Sequence, residues 1–189
     1  RDQLFLDGLD SSGTRVLLLT RILEEGLHAR EVEDLLVAVF ESEASGHLDS
    51  QSLMQAIGQG MASGLRDAHG TSPGWLVLSA AVVEASRIVV GVCGDLGVSY
   101  YVNDAFVRRA RLHVLSDNPG YYGARSESIE RRSPHLLLQA IGSDPIMFRF
   151  ETWDRVLGDE LLLFQEPRSH QHSWGNMPSK DEGSVGVTL

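Results

Sequence analysis

The side chains in this chain whose types and spacing could do chemistry are His170-Gln171-His172, Cys93, and a set of arginines: Arg108, Arg109, Arg111, Arg125, Arg131 and Arg132. Two histidines separated by one residue can grip a metal ion, but a structural zinc site needs four ligands. The histidine pair lies in a polar stretch bounded by Pro167 and Pro178, with no cysteine nearby, so it reads as a solvated loop. Cys93 closes the valine-rich run Ile88 to Val92, which predicts a buried, inert thiol. Arginines present a planar fork of donors suited to carboxylates and phosphates. Here they read first as exposed strand faces and second as a contact for an acidic protein or a phosphopeptide. Asp95 in Gly94-Asp95 reads as a turn residue rather than a base, and His28 as a surface or capping residue ahead of a helix. Trp75, Trp153 and Trp174 form no stacking pattern and read as packing.

The bulk numbers bound what can hold these groups. The 189 residues suit one domain, or a domain with a tail, and such a length buries about 70% of the unfolded surface without staples. Apolar residues make up 42% and charged residues 22%, ordinary for a globular protein. A net charge of −10 argues against non-specific nucleic-acid or anionic-membrane binding. No apolar run approaches the ~20 residues of a membrane span, and no signal peptide opens the chain. The single cysteine excludes an internal disulfide and fits a reducing, cytoplasmic setting. A start at Arg1 rather than Met fits a piece of something longer.

Along the chain, 5–6 and 15–20 read as two strands joined by the turn cluster Asp7-Gly8-Leu9-Asp10-Ser11-Ser12-Gly13. Val32, Leu35, Leu36, Val39 and Phe40 fall on one face of a helix over 29–43. Leu53, Ile57, Met61 and Leu65 do the same over 50–67, where Gly58, Gly60 and Gly64 lower helix propensity but allow close packing. From Trp75 onward the pattern is strand-like: 75–83, 87–93, 98–102, 106–115, 146–152, 160–164 and 185–189. A short buried helix is expected over 134–141, and 166–182 reads as a mobile loop. Strands, two long helices, then a string of hairpins is an α+β order, best satisfied by two antiparallel sheets with helices packed outside.

Five places carry a resemblance. They are Asp2-Gln3-Leu4-Phe5-Leu6; Thr20 to Ala29, which ends Gly26-Leu27-His28-Ala29; Gly94-Asp95-Leu96-Gly97; Leu157-Gly158-Asp159-Glu160-Leu161-Leu162-Leu163-Phe164; and Asp181-Glu182-Gly183-Ser184-Val185. In this order they resemble the PP2C-type (PPM) serine/threonine phosphatases, above all their SpoIIE/RsbU-like branch, over most of the chain. The resemblance implies one PP2C-like domain over 1–189, a sandwich of two antiparallel sheets flanked by helical layers. It also implies two Mn²⁺ or Mg²⁺ ions held by aspartates around a bridging nucleophilic water, and it places 123–133 in the family's variable flap, a candidate recognition loop.

The catalytic positions depart from that pattern. In its register Arg21 stands where a metal-binding aspartate belongs, and Glu24 and Glu25 replace glycines, with Gly26 kept. A guanidinium cannot ligate a divalent cation and repels one. After the leucine-rich strand the chain reads Phe164-Gln165-Glu166-Pro167, with proline where a glycine's backbone freedom is expected. Asp181 is kept, at a shorter distance than relatives show. Asp2 has no certain role, and Asp7 is either a turn residue or, in a second register, a metal ligand. The expectation is a vestigial cleft of Arg21, Glu24, Glu25 and Gly26 with no catalytic residue. Arg21 would pair there with Glu24, Glu25, Glu166 or Asp181. The domain would be a pseudophosphatase acting as a regulatory or scaffolding module through a protein partner, without nucleic acid or membrane and needing no cofactor. The alternatives are an active phosphatase with Mn²⁺ or Mg²⁺ on Asp2, Asp7, Glu166 and Asp181, and a structural subunit of a larger assembly.

Overall fold

The computed structural model describes residues 3–46, 49–72, 74–114, 117–118, 136–165 and 184–189. The run Val16-Leu17-Leu18-Leu19 shows why the chain stacks in layers. All four side chains are fully buried, yet a strand sends successive side chains to opposite faces. Val16 and Leu18 join one core with Leu36, Phe40, Ile57 and Met61 of the helices, while Leu17 and Leu19 join another with Val98, Tyr100, Trp153 and Phe164. The strand carrying them, β2 (Arg15–Ile22), therefore lies between a helical layer and a second sheet.

β2 pairs with β1 (Gln3–Leu9) and with β3 (Leu76–Val83); β4 (Arg87–Cys93) and β7 (Arg149–Asp154) complete a five-stranded antiparallel sheet of order β1-β2-β3-β4-β7. The second sheet, also antiparallel, has the order β6-β5-β8-β9, from β5 (Gly97–Val102), β6 (Ala105–Arg109), β8 (Glu160–Gln165) and β9 (Ser184–Thr188). Helices α1 (Ala29–Glu43) and α2 (Ser50–His69) pack on each other and on the first sheet. The approach is close because a Cβ on Gly60 would come within 2.7 Å of Val39, and one on Gly64 within 2.6 Å of Leu35. The glycines of α2 thus exchange helix propensity for helix–helix contact. α2 starts at Asp49, whose carboxylate accepts from the Ser52 amide at 2.8 Å, a side-chain N-cap. No helix among the described residues is long and apolar enough to cross a membrane.

The expected α+β sandwich of two antiparallel sheets is present, and both long helices start where the apolar periodicity places them. Three expectations are corrected. Asp7, Gly8 and Leu9 belong to β1 rather than to the turn; the turn is made by Asp10, whose Oδ1 accepts from the Ser12 and Thr14 amides. The arginine-bearing strand is short: after Arg109 the chain leaves the sheet, and a bulge interrupts the β5–β6 ladder. Residues 136–141 form no helix; Leu137 and Ile141 make isolated bridges to Val114 and Leu76. Ala140 and Ile141 are buried there without a helix, while Leu136 is exposed and Leu137 and Leu138 are half-buried, a case that periodicity alone does not separate from a buried helix.

At one end the two sheets are fastened by polar groups. The hydroxyl of Tyr100 in β5 donates to the Glu160 carboxylate at the start of β8, and Arg155, just past β7, donates to the same carboxylate from Nε at 2.9 Å and from Nη2. Arg155 also reaches the Glu84 carbonyl at 3.2 Å. Burial works to raise the Glu160 carboxyl, but hydrogen bonds from Arg155 and Tyr100 outweigh it and hold it below its ordinary value. A carboxyl that binds its proton less tightly when folded stabilises the fold fully above its unfolded value of about 4.3. The contribution is lost as pH falls through the lower folded value. Glu160→Gln is therefore expected to flatten the acid limb of the stability curve below about pH 4. Urea unfolding across pH 3–7, compared with the unsubstituted chain, checks this; parallel acid limbs would remove Glu160 from the latch.

Candidate functional site

Arg21 is the second-to-last residue of β2 and sits opposite Gln3 on one side and Val77 on the other. It shares the face of Leu17 and Leu19, so its side chain runs between the sheets and not toward the helices. There its Nη2 donates to both oxygens of Asp95, at 2.6 and 2.8 Å, in a pair whose residues are only 5% and 8% exposed. Asp95 reaches this point because the β4–β5 connection crosses directly over Val77. Gly94 has φ +125°, and a Cβ there would lie 2.3 Å from Val77 Cγ1. The connection is held by Ser79 Oγ donating to the Leu96 carbonyl at 2.7 Å and by the His113 amide donating to the Gly94 carbonyl at 2.7 Å. The His113 imidazole beside it is driven down to about 4 by burial, helped by the nearby Arg149 charge, so it is neutral at pH 7.

The other residues of the expected cleft do not gather around Arg21. Glu24, Glu25 and Gly26 are exposed; Glu24 accepts from Ser72 Oγ at 2.9 Å, and Gly26 adopts φ +121°. Asp95 is not among the carboxylates the sequence reading expects to meet Arg21, and it is more than the turn residue expected there. Its signal was a glycine and an acid placed directly after a buried valine strand. Asp7 lies four residues along β1 from the Gln3 that faces Arg21, and pairs with Arg15 at 2.7 Å. That hydrogen bond lowers the Asp7 carboxyl, with burial opposing it. Asp2, Glu166 and Asp181, like His170, His172, Trp174, Arg125, Arg131 and Arg132, lie outside the described residues. Cys93 is buried as expected, and burial pushes its thiol up to about 12. His28 caps α1 through its backbone carbonyl, with no side-chain bond. Trp75 and Trp153 are core residues, Trp153 stacked on Tyr100. Arg108 and Arg111 are exposed, while Arg109 pairs with Asp117 at 3.5 Å.

These residues do not fit a divalent cation beside Asp95. Mn²⁺ and Mg²⁺ need several anionic or neutral oxygens, and here the carboxylate already faces a buried guanidinium that would repel the ion. Among the described residues no group of three His, Cys, Asp or Glu side chains is placed to hold a metal. What the arrangement does is join the end of β2 to the start of the second sheet by a buried ion pair.

No protein-family model matches the chain, and no curated protein matches it. Solved structures do. The serine/threonine phosphatase Stp1 from Staphylococcus aureus superposes with a TM-score of 0.65 at 12% identity, over 88% of this chain and 71% of that one. The S. agalactiae serine/threonine phosphatase gives 0.67 at 12% identity, over 87% and 72%. The PPM Ser-Thr phosphatase MsPP from Mycobacterium smegmatis gives 0.53 at 16%, over 87% and 76%. The chain has the PP2C-type serine/threonine phosphatase fold.

Proposed function

We propose that residues 1–189 form a single PP2C-like domain in which an internal ion pair stands in for the metal centre, and which acts as a regulatory or scaffolding module by binding another protein. The observation that supports this is the Arg21–Asp95 pair: the arginine that stands, in the register of the resemblance, where a metal-binding aspartate belongs is buried against a carboxylate. A fold does not by itself carry an activity; the site does. The quoted motifs favour the SpoIIE/RsbU-like branch, and with it a cytoplasmic signalling role, as the setting for the module. The test is calorimetric titration of Mn²⁺ and Mg²⁺ into the purified chain, with p-nitrophenyl phosphate hydrolysis alongside. The expected outcome is no micromolar binding, no shift in melting temperature, and hydrolysis at the buffer rate.

A second reading, a metal-dependent serine/threonine phosphatase with an unusual ligand set, is favoured by the likeness of this fold to serine/threonine phosphatases. Micromolar binding together with turnover that Asp181→Asn abolishes would establish that reading and reject the first.

A further inference from the structure

We propose that the tip of the second sheet formed by Val156 and Leu157 is a docking surface for a protein that presents an apolar socket rimmed by lysine or arginine. The loop between β7 and β8 leaves Leu157 99% exposed and Val156 48% exposed. Solitary exposed leucines are common and mean little. This one is mounted on a loop pinned from several sides. The Val156 amide donates to the Tyr100 hydroxyl at 3.1 Å, and the Arg155 amide to the Ser86 carbonyl at 2.9 Å. The Asp159 amide donates to Asn103 Oδ1 at 2.9 Å, and the Asn103 amide donates back to the Asp159 carbonyl at 2.9 Å. Gly158, at φ +145°, lies so close that a Cβ would meet the Asn103 side chain at 2.8 Å. None of these bonds buries Leu157. They fix its backbone, so a partner has only the side-chain rotamers to order, and an apolar anchor on a positioned loop is what an interface centre needs.

Charge gives the occupant its chemistry. Asp154 and Asp159 flank the two apolar residues in sequence, and Asp104 sits in the β5–β6 turn bonded to this loop. All three are exposed, and among the described residues none makes an ion pair: Arg87, opposite Asp154 in the β4–β7 ladder, is held by Glu84, and the Arg155 guanidinium is turned inward to Glu160. On a chain of net charge −10 this acidic rim favours a basic counterpart and speeds its approach. The proposal goes beyond the reading of the Arg21–Asp95 site and does not rest on it. The tip is at the opposite end of β5, roughly 20 Å from Asp95 at the rise of a strand.

The experiment is selection of a random peptide library on phage against the full chain, followed by titration of the selected peptides in low and high salt. Enriched peptides are expected to place an aliphatic or aromatic residue beside Lys or Arg. Leu157→Ser should weaken them about ten-fold or more, as for an interface anchor, while leaving melting unchanged, since the side chain touches nothing. Asp154→Asn with Asp159→Asn should weaken them further and reduce their salt dependence. Peptides that bind the Leu157→Ser chain equally, peptides without basic residues, or no enrichment would overturn the proposal. Self-association in sedimentation velocity that Leu157→Ser abolishes would assign the surface to a second copy of the chain and equally overturn it.

Discussion

Asp95→Ala is expected to lower the unfolding free energy by about 3–5 kcal/mol, the cost of breaking a buried ion pair by removing one member. Arg21 is paired on both sides, with Gln3 and with Val77, near the end of β2, and its side chain points into the space between the sheets, so it reaches water only by disrupting the end of that strand. The pair is weak evidence for stability in itself, because desolvating two charges offsets most of their attraction. The double substitution Arg21→Met with Asp95→Leu is accordingly expected to recover most of the loss. Arg21→Asp makes the opposite demand: two carboxylates side by side, less stable without metal, with melting raised again by Mn²⁺. Urea unfolding at constant slope reads the first two outcomes, and melting with and without Mn²⁺ reads the third. An Asp95→Ala loss under about 1 kcal/mol would mean the site is solvated and the ion pair is not the clamp described here.

Much of this was legible from residues that report on their own surroundings. Val32, Leu36 and Phe40 announce one buried helix face, and the glycines of α2 announce a close neighbour, because each pattern is set by contacts within one element. The α+β class and the two antiparallel sheets follow from the order of elements. Contacts between distant elements were less legible. Nothing in the spacing links Arg21 to Asp95, or Tyr100 to Glu160 and Arg155; those pairs exist only once β4–β5 folds over β3 and β8 aligns with β5. The carboxylates nearest Arg21 in sequence, Glu24 and Glu25, were the natural expectation. They failed because the chain after Ile22 leaves the sheet, with the Leu23 and Glu24 amides bonded to the Trp75 carbonyl, and turns to the surface. The absence of a helix over 136–141 has a related cause: Leu137 and Ile141 bridge to Val114 and to Leu76 of β3, partners far away in sequence.

Gly94→Ala is expected to be nearly as damaging as the loss of Asp95, and for a reason that can be separated from it. At φ +125° a side chain is strained whatever the space available, which costs about 1–3 kcal/mol. The space is also missing: the new Cβ would sit 2.3 Å from Val77 Cγ1 and 2.5 Å from Val77 Cβ. Val77 is fully buried and β-branched, held in its rotamer between Arg21 and the inter-sheet core, so it cannot yield, and overpacking of this kind adds about 1–3 kcal/mol. The total, roughly 2–6 kcal/mol, falls on the one turn that carries Asp95 to Arg21. Trimming the obstacle distinguishes the two contributions. In a double-mutant cycle with Val77→Ala, the overpacking part should disappear and leave a coupling of about 1 kcal/mol or more, while the backbone strain remains. Strict additivity would show that Gly94 and Val77 do not touch. The glycine before the acid would then be a matter of turn conformation alone, and the route by which the ion pair is assembled would have to lie elsewhere in the β4–β5 connection.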